Sequence, residues 1–396
     1  MRIITTTQAL ADACQELSAH PFVTVDTEFK RETTYWPELC LIQVAGPERQ
    51  YIIDPLARQI DLGPFFALMD DERVLKVFHA ARQDIEIMVH RGGVIPRPLF
   101  DTQVAAMVCG FGEAVSYENI VRHITGHRVD KSSRFTDWAH RPLSDRQLQY
   151  ALSDVTHLRD VYRKLAAELD RTGRGTWVAE EMAVLESPET YRLDPREAWR
   201  RLKVRPRSRE MLAVLIELAA WRETEAQQRN VPRNRVLRDD ALVEIATQRP
   251  TREGDLKRLR AVSKNFASSQ HAQGVLEAVH RGKAADPASL HELPDEQPVN
   301  GHGAIVEMLK VALRLASERH QVAPKLIATV SDLERIAADD DADVPALRGW
   351  RRELFGESAL ALKHGRKALT LEKGEAVLIP REPGRSPGAA VAEPVK

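Results

Sequence analysis

The sequence predicts an α/β domain built on a mixed sheet with flanking helices, followed by two all-α units. Three observations carry this. Strand and helix signals alternate over residues 1–190, the strand signal disappears after Gly175, and a set of landmarks in the middle of the chain recurs near its end.

Thr7–Ala19 reads as a short amphipathic helix and Phe22–Phe29 as a strand. Leu39–Ala45 and Tyr51–Asp54 are further strands, the second stopped by Pro55, which cannot donate to a ladder. Val74–Phe78 follows as a strand and Arg82–His90 as a helix. Phe100–Cys109 is expected to be helical, with Asp101 near its start. Leu143–Arg171 reads as a long helix, opened by Pro142-Leu143-Ser144-Asp145 and ended near Gly173. Residues 191–208 form a basic linker punctuated by Pro195 and Pro206, and 209–283 read as helices over 210–228, 239–248, 254–261 and 267–282. A second linker, 284–300, carries Pro287, Pro294 and Pro298. Helical periodicity resumes from Ala304 to Lys373, in a unit spanning 301–379. Residues 380–396 are rich in Pro, Gly, Ala and charge, a composition that predicts disorder.

The two helical units read as diverged copies. Val231-Pro232, Val236-Leu237, Leu242 and Ile245-Ala246 are echoed by Ala323-Pro324, Leu326-Ile327, Leu333 and Ile336-Ala337. The prolines are offset by 92 positions (324 − 232) and the last pair by 91 (336 − 245), which suggests one residue lost between them.

The 396 residues carry 57 basic and 58 acidic side chains, a formal charge of −1. That average hides an asymmetry. Residues 1–191 hold 21 basic and 28 acidic groups (−7), 192–264 hold 19 and 11 (+8), and 265–396 hold 17 and 19 (−2). Such a split suggests a modular protein and does not exclude nucleic acid as a partner. Three cysteines, Cys14, Cys40 and Cys109, cannot all pair within one chain and read as reduced thiols. There is no basic-then-apolar start and no apolar run approaching the ~20 residues of a membrane span, so a soluble, cytoplasmic protein is expected.

Three elements carry chemistry. In the strand around Val25-Asp26-Thr27-Glu28-Phe29, Asp26 and Glu28 project from one face, about 7 Å apart along the strand. Their mutual repulsion is relieved by a divalent cation such as Mg2+ or Mn2+, although an acidic-x-acidic pair alone also fits a solvated strand face. Asp84 follows the strand Val77-Phe78 by a short turn, at a strand-to-helix junction that opens into a ligand crevice; a dipole-complementing charge is the alternative. Tyr150 and Asp154 sit one turn apart on the long helix.

Taken in order, Asp26-x-Glu28, Asp84 and Tyr150-x-x-x-Asp154 resemble the DEDD superfamily of 3′→5′ exonucleases, tyrosine branch. Further segments narrow the likeness: Tyr35-x-Pro37-x-Leu39-x-Leu41-Ile42-Gln43, Ile53-Asp54-Pro55, Phe100-Asp101-Thr102-Gln103, Asp130-Lys131-Ser132 and Thr136-Asp137-Trp138-x-x-Arg141-Pro142-Leu143 resemble the ribonuclease D family. Ala220-Trp221-Arg222, Asn230-Val231-Pro232 and Leu242-x-x-Ile245-Ala246 resemble the HRDC domain, an all-α nucleic-acid-binding module also found in RecQ-type helicases. No phosphate-binding Gly-x-x-x-x-Gly-Lys-Ser/Thr motif is present, which excludes a helicase.

The resemblance implies a ribonuclease H-like exonuclease domain followed by an HRDC domain and a second, degenerate one. It implies an exoribonuclease releasing 5′-nucleoside monophosphates from RNA with a free 3′ end, such as tRNA precursors and other small stable RNAs. It implies two divalent ions (Mg2+ or Mn2+) held by Asp26, Glu28, Asp84 and Asp154, with Asp26 shared between them. Tyr150 would orient the attacking water, Asp101 would stand behind the ligands, and His79 would lie near the site without holding an ion. The residues themselves leave RNA against DNA open, and an inactive RNA-binding scaffold is the non-enzymatic alternative. Candidate RNA contacts in the basic middle are Arg200, Arg201, Lys203, Arg205, Arg207, Arg222, Arg229, Arg233, Arg235 and Arg238, with Trp221 among them. A monomer with no obligate protein partner and no membrane association is expected.

Overall fold

The structure is a computed structural model that describes residues 3–130, 132–134, 136–286 and 302–381. Its N-terminal part runs β1 (Ile3–Ile4), α1 (Thr7–Leu17), β2 (Phe22–Lys30), β3 (Glu38–Ala45), β4 (Gln50–Ile53), α2 (Gly63–Asp70), β5 (Leu75–Phe78), α3 (Arg82–Gly92) and β6 (Leu99–Asp101). These strands form a mixed sheet in the order β1-β4-β3-β2-β5-β6. β2 pairs antiparallel with β3 and parallel with β5, so it is interior to the sheet. That position explains its composition: Val23 and Val25 are fully buried, each worth about 1.5–3 kcal/mol of burial.

α4 (Thr102–Val108), α5 (Tyr117–Thr125), α6 (Asp145–Thr172) and α7 (Gly175–Leu185) follow. The segment expected to be helical from Phe100 instead closes β6 first. Asp101 then caps α4, its carboxylate accepting from Gln103 N, so the helix begins one residue after the acid. α2 and α5 were not expected. α5 nonetheless carries plain punctuation, with the Ser116 hydroxyl accepting from Asn119 N at its start and Gly126 in the left-handed region at its end.

The first helical repeat contains α8 (Arg209–Gln228), α9 (Arg233–Val236), α10 (Asp239–Gln248), α11 (Glu253–Leu256), α12 (Lys264–Ala267) and α13 (Gln270–Ala284), around a core that includes Leu212, Leu215, Leu242, Ile245 and Val275. Trp221 packs against this core, beside Gly274, where an added Cβ would come within 2.4 Å of the indole nitrogen; it is a packing residue rather than an exposed stacking platform. The second repeat has α14 (Gly303–His320), α15 (Pro324–Ile327), α16 (Val330–Ala338), α17 (Gly349–Arg351) and α18 (Glu357–Lys363), the last two flanking a π-helical stretch, Arg352–Gly356.

Two expectations change here. The helical reading to Lys373 gives way to a β-hairpin, β7 (Lys367–Glu372) with β8 (Glu375–Pro380), closed by Lys373 and Gly374, both at positive φ. The local reason is period-2 alternation around a two-residue turn, which overrides the helix signal. The middle of the two units also keeps one offset: α9 and α15 start 91 residues apart (324 − 233), α10 and α16 likewise (330 − 239), and so do the positive-φ residues Asn230 and Gln321. No residue is lost; Pro232 precedes its helix, whereas Pro324 opens it.

Nor are the compact units simple sequence segments. One comprises 1–100, 129–159 and 182–296; the other 101–128, 160–181 and 297–396. In the second, Trp177 stacks on Trp350 at 4.5 Å, Arg351 pairs with Glu180 and Glu181, and Ala323 N donates to Met107 O, ties that join α7 and α4 to the second repeat. Most of the expected 284–300 linker and the tail from 382 lie outside the described residues, and Pro380 ends β8. Among the described residues no helix is long and apolar enough to cross a membrane.

Candidate active site

Alternation along β2 turns Thr24, Asp26 and Glu28 toward α6. Thr24 Oγ1 donates to the Val155 carbonyl at 2.8 Å, which fixes the helix against the strand and brings Asp154 over the two acids. Carboxylate oxygens of Asp26, Glu28 and Asp154 all lie within 4.8 Å of one another.

Without a cation this arrangement penalises ionisation. Burial pushes the Asp26 carboxyl well above its usual range, and the Asp154 charge adds to it. Glu28 is pushed up to about 10, first by burial and then by Asp26, Asp154 and Asp84. Asp154 rises to about 7 through burial, opposed by the Tyr150 hydroxyl, which donates to it, and by Arg134. Three converging carboxylates with no neutral donor among them are an all-oxygen set suited to hard divalent ions.

Asp84 stands slightly apart. The turn from β5 into α3 passes through Ala80 at φ 62°, a left-handed conformation that costs a non-glycine residue about 1 kcal/mol. It delivers Asp84, 6% exposed, so that its carboxylate accepts from the Thr27 hydroxyl on β2. Asp84 is outside the three-acid group but close enough to raise Glu28. Tyr150 lies 6.0 Å from the Trp138 ring, and burial, followed by Asp154, Glu28 and Asp26, drives its phenol pKa far upward.

The motif residues around these groups fix the frame. Arg141 clamps Asp54 with two 2.8 Å hydrogen bonds while donating to the carbonyls of Trp138 and Cys40. Asp101 is 3% exposed and caps α4. Two residues had no assigned role in the sequence reading. Arg134 is the cation that opposes the charge of Glu28 and Asp154. Gln43, paired directly opposite Asp26, is fully buried with neither amide atom hydrogen-bonded. A polar residue at an inward position of an apolar strand was the available signal for Gln43.

The basic middle divides. Arg200, Arg201, Lys203, Arg205, Arg207, Arg229, Arg235 and Arg238 are exposed, several with a neighbouring acid: Arg200 with Glu197, Arg201 with Glu223, Arg238 with Asp240. Arg222 is a correction to the expected surface. It is 4% exposed, and its Nη1 donates to Leu237 O and Asp239 Oδ1, so it ties α8 to the start of α10. Arg233 is half-buried and engaged by Glu223 and the Tyr35 hydroxyl.

Comparisons with known proteins show what the chain is similar to. A family model described as 3′-5′ exonuclease matches residues 1–170, and one described as HRDC domain matches 211–279. Ribonuclease D of Nitrobacter hamburgensis is 58% identical over 381 residues, covering 96% of this chain and 100% of the relative. That of Bartonella henselae is 49% identical, covering 95% and 93%. The crystal structure of Escherichia coli RNase D, an exoribonuclease involved in structured RNA processing, superposes with a TM-score of 0.80 at 30% identity, covering 92% of this chain and 98% of that one.

Proposed function

The chain belongs to the ribonuclease D family and is a divalent-metal-dependent 3′-5′ exoribonuclease acting on RNA; from that premise we propose that Asp26, Glu28, Asp84 and Asp154 hold two ions, Mg2+ or Mn2+. The convergence of three carboxylates from β2 and α6 is the observation that carries this reading. When bound, the ions would acidify water and neutralise charge at the transferring phosphoryl group.

The chain's own residues divide the remaining work. Asp26, which interacts with both Glu28 and Asp154, would be the acid shared by the ions. Asp84, fixed by Thr27 and near enough to raise Glu28, would support the second ion. Tyr150, a phenol protonated at neutral pH whose hydroxyl donates to Asp154, orients that carboxylate and the attacking water. Arg134 faces the same acids and suits the scissile phosphate. The products are 5′-nucleoside monophosphates, and the substrates are RNAs with a free 3′ end, tRNA precursors above all. The exposed arginines between 200 and 238 supply electrostatic attraction for the strand. The segments 1–190, 209–283 and 301–379 serve as nuclease, HRDC and degenerate HRDC-like parts of a cytoplasmic monomer.

The test uses tRNA with a short 3′ trailer and a matched DNA, both labelled at the 5′ end, with Mg2+, Mn2+ or chelator. Stepwise RNA shortening with release of 5′-monophosphates, abolished by chelator, is expected. Shortening that persists in chelator refutes the metal assignment, and equal rates on DNA refute the RNA preference.

A further inference from the structure

Where the loop after β2 meets the first helical repeat, a cavity of about 340 Å3 is lined by Arg31, Thr34, Arg201, Arg222, Arg233 and Asn234, among others. Four guanidinium groups around one cavity require explanation, and docking of the loop explains only part of it. Docking is already secured. Asn230 Oδ1 accepts from both Tyr35 N and Trp36 N, and Glu223, 1% exposed, is gripped by Arg233 through both oxygens and by the Tyr35 hydroxyl. Arg201 adds one further contact to the same Glu223, through Nη1 at 3.1 Å, and its side chain remains 49% exposed.

Among the described residues the ionic partners of the four arginines are three carboxylates: Glu86 for Arg31, Asp239 for Arg222, and Glu223 for both Arg201 and Arg233. Within that set the arginines exceed the acids by one charge. The wall also holds the almost fully buried Arg222, whose Nε has no hydrogen-bond partner. A buried guanidinium with one unused donor, beside an excess cation in a cavity, is suited to a phosphate group.

The cavity is joined to the acidic site by two short stretches of chain. Arg31 follows Glu28 by three residues, about 10 Å along an extended strand. Its guanidinium is held by Glu86 through two hydrogen bonds of 2.9 and 2.8 Å, and Glu86 lies on α3 two residues after Asp84.

We propose that this cavity is a phosphate subsite for the RNA strand, seating a backbone phosphodiester a few nucleotides upstream of the bond being cut. The proposal rests on the exoribonuclease reading and adds to it a dependence on RNA length. A dinucleotide reaches only the carboxylates, whereas a longer strand also fills the arginine cavity.

The test measures binding and turnover separately on RNAs from two to about twelve nucleotides. Arg201→Ala leaves Glu223 its bonds to Arg233 and Tyr35, and Asn234→Asp places a carboxylate in the cavity without removing a packed group. Each should weaken binding of the long RNAs, read by fluorescence anisotropy in chelator, by roughly tenfold, the weight of one charge-assisted hydrogen bond. The loss in kcat/KM should lie in KM and be several-fold larger on long RNAs than on the dinucleotide. Arg201→Lys should recover part of the binding, and the salt dependence should flatten in Arg201→Ala. Equal losses at every length, or none in either variant, overturn the subsite. Inorganic phosphate at constant ionic strength should compete with long RNA. Phosphate binding without any change in RNA binding on Arg201→Ala would assign the cavity to a free anion and also overturn the proposal. If long RNA binds as described but is never shortened, the exoribonuclease reading fails while the phosphate subsite stands.

Discussion

Two carboxylate sites in the same compact unit, one half-buried at Glu28 and one buried at Glu223, behave in opposite ways. Glu28 is pushed up to about 10, whereas Glu223, 1% exposed, is held below its ordinary 4.5. Burial acts on both in the same direction; the neighbours decide the outcome. Glu223 meets Arg233, Tyr35 and Arg201, which overcome its desolvation. Glu28 meets Asp26, Asp154 and Asp84, with Arg134 as the cation against them. The first is complete within the chain, and the second is complete only with cations from solution. A buried acid is therefore informative through the sign of what surrounds it.

The sharpest way to separate the two is to neutralise each. Asp26→Asn should lower kcat by about three orders of magnitude or more, roughly 4 kcal/mol of barrier, while raising the melting temperature in chelator because a buried repulsion is removed. Near-normal turnover would break the assignment. Glu223→Gln should instead destabilise the fold by about 2–3 kcal/mol, below the ~3–5 kcal/mol of a fully buried pair because Arg201 and Arg233 stay partly in water. Denaturant unfolding reads this directly, and an unchanged midpoint would mean that the knot contributes nothing.

pH divides the sites next. The raised carboxyls bind more protons folded than unfolded, so their contribution is fully present below about pH 4 and is lost as pH rises through about 7 for Asp154 and about 10 for Glu28. Glu223 runs the other way: its contribution is present above its ordinary 4.5 and lost as pH falls through its lower folded value. The chain in chelator should melt at lower temperature at pH 8 than at pH 6, and Mn2+ should raise the melting temperature more at pH 8, because metal displaces protons. A metal-induced shift independent of pH would contradict the raised pKa values. The smallest effect concerns Gln43, whose orphaned amide faces the acidic site. Gln43→Met should stabilise the metal-free protein by about 1–2 kcal/mol in urea unfolding. A loss of stability would reveal a bridging water.

Much of this site was legible in the sequence because it follows fixed periods. Two residues on a strand place Asp26 and Glu28 together, and four on a helix place Tyr150 by Asp154. What escaped depends on distant chain. Arg222 has the composition of a surface residue, and only its bonds to Leu237 O and Asp239, fifteen and seventeen positions on, mark it as internal. The Glu223 knot draws on Tyr35, 188 residues away, and so had no local signature. The hairpin at 367–380 was different: its Lys373-Gly374 turn was a visible signal beneath a misleading helical period.

The 91-residue spacing shared by the middles of the two helical units bears on how they are related. Asn230 and Gln321 share a left-handed backbone, yet Asn230 binds the Tyr35–Trp36 backbone, while Gln321 caps α14. In one unit the bend binds another segment; in the other it is a helix stop. Two stretches can thus share the path of their chain while their side chains have taken up separate trades.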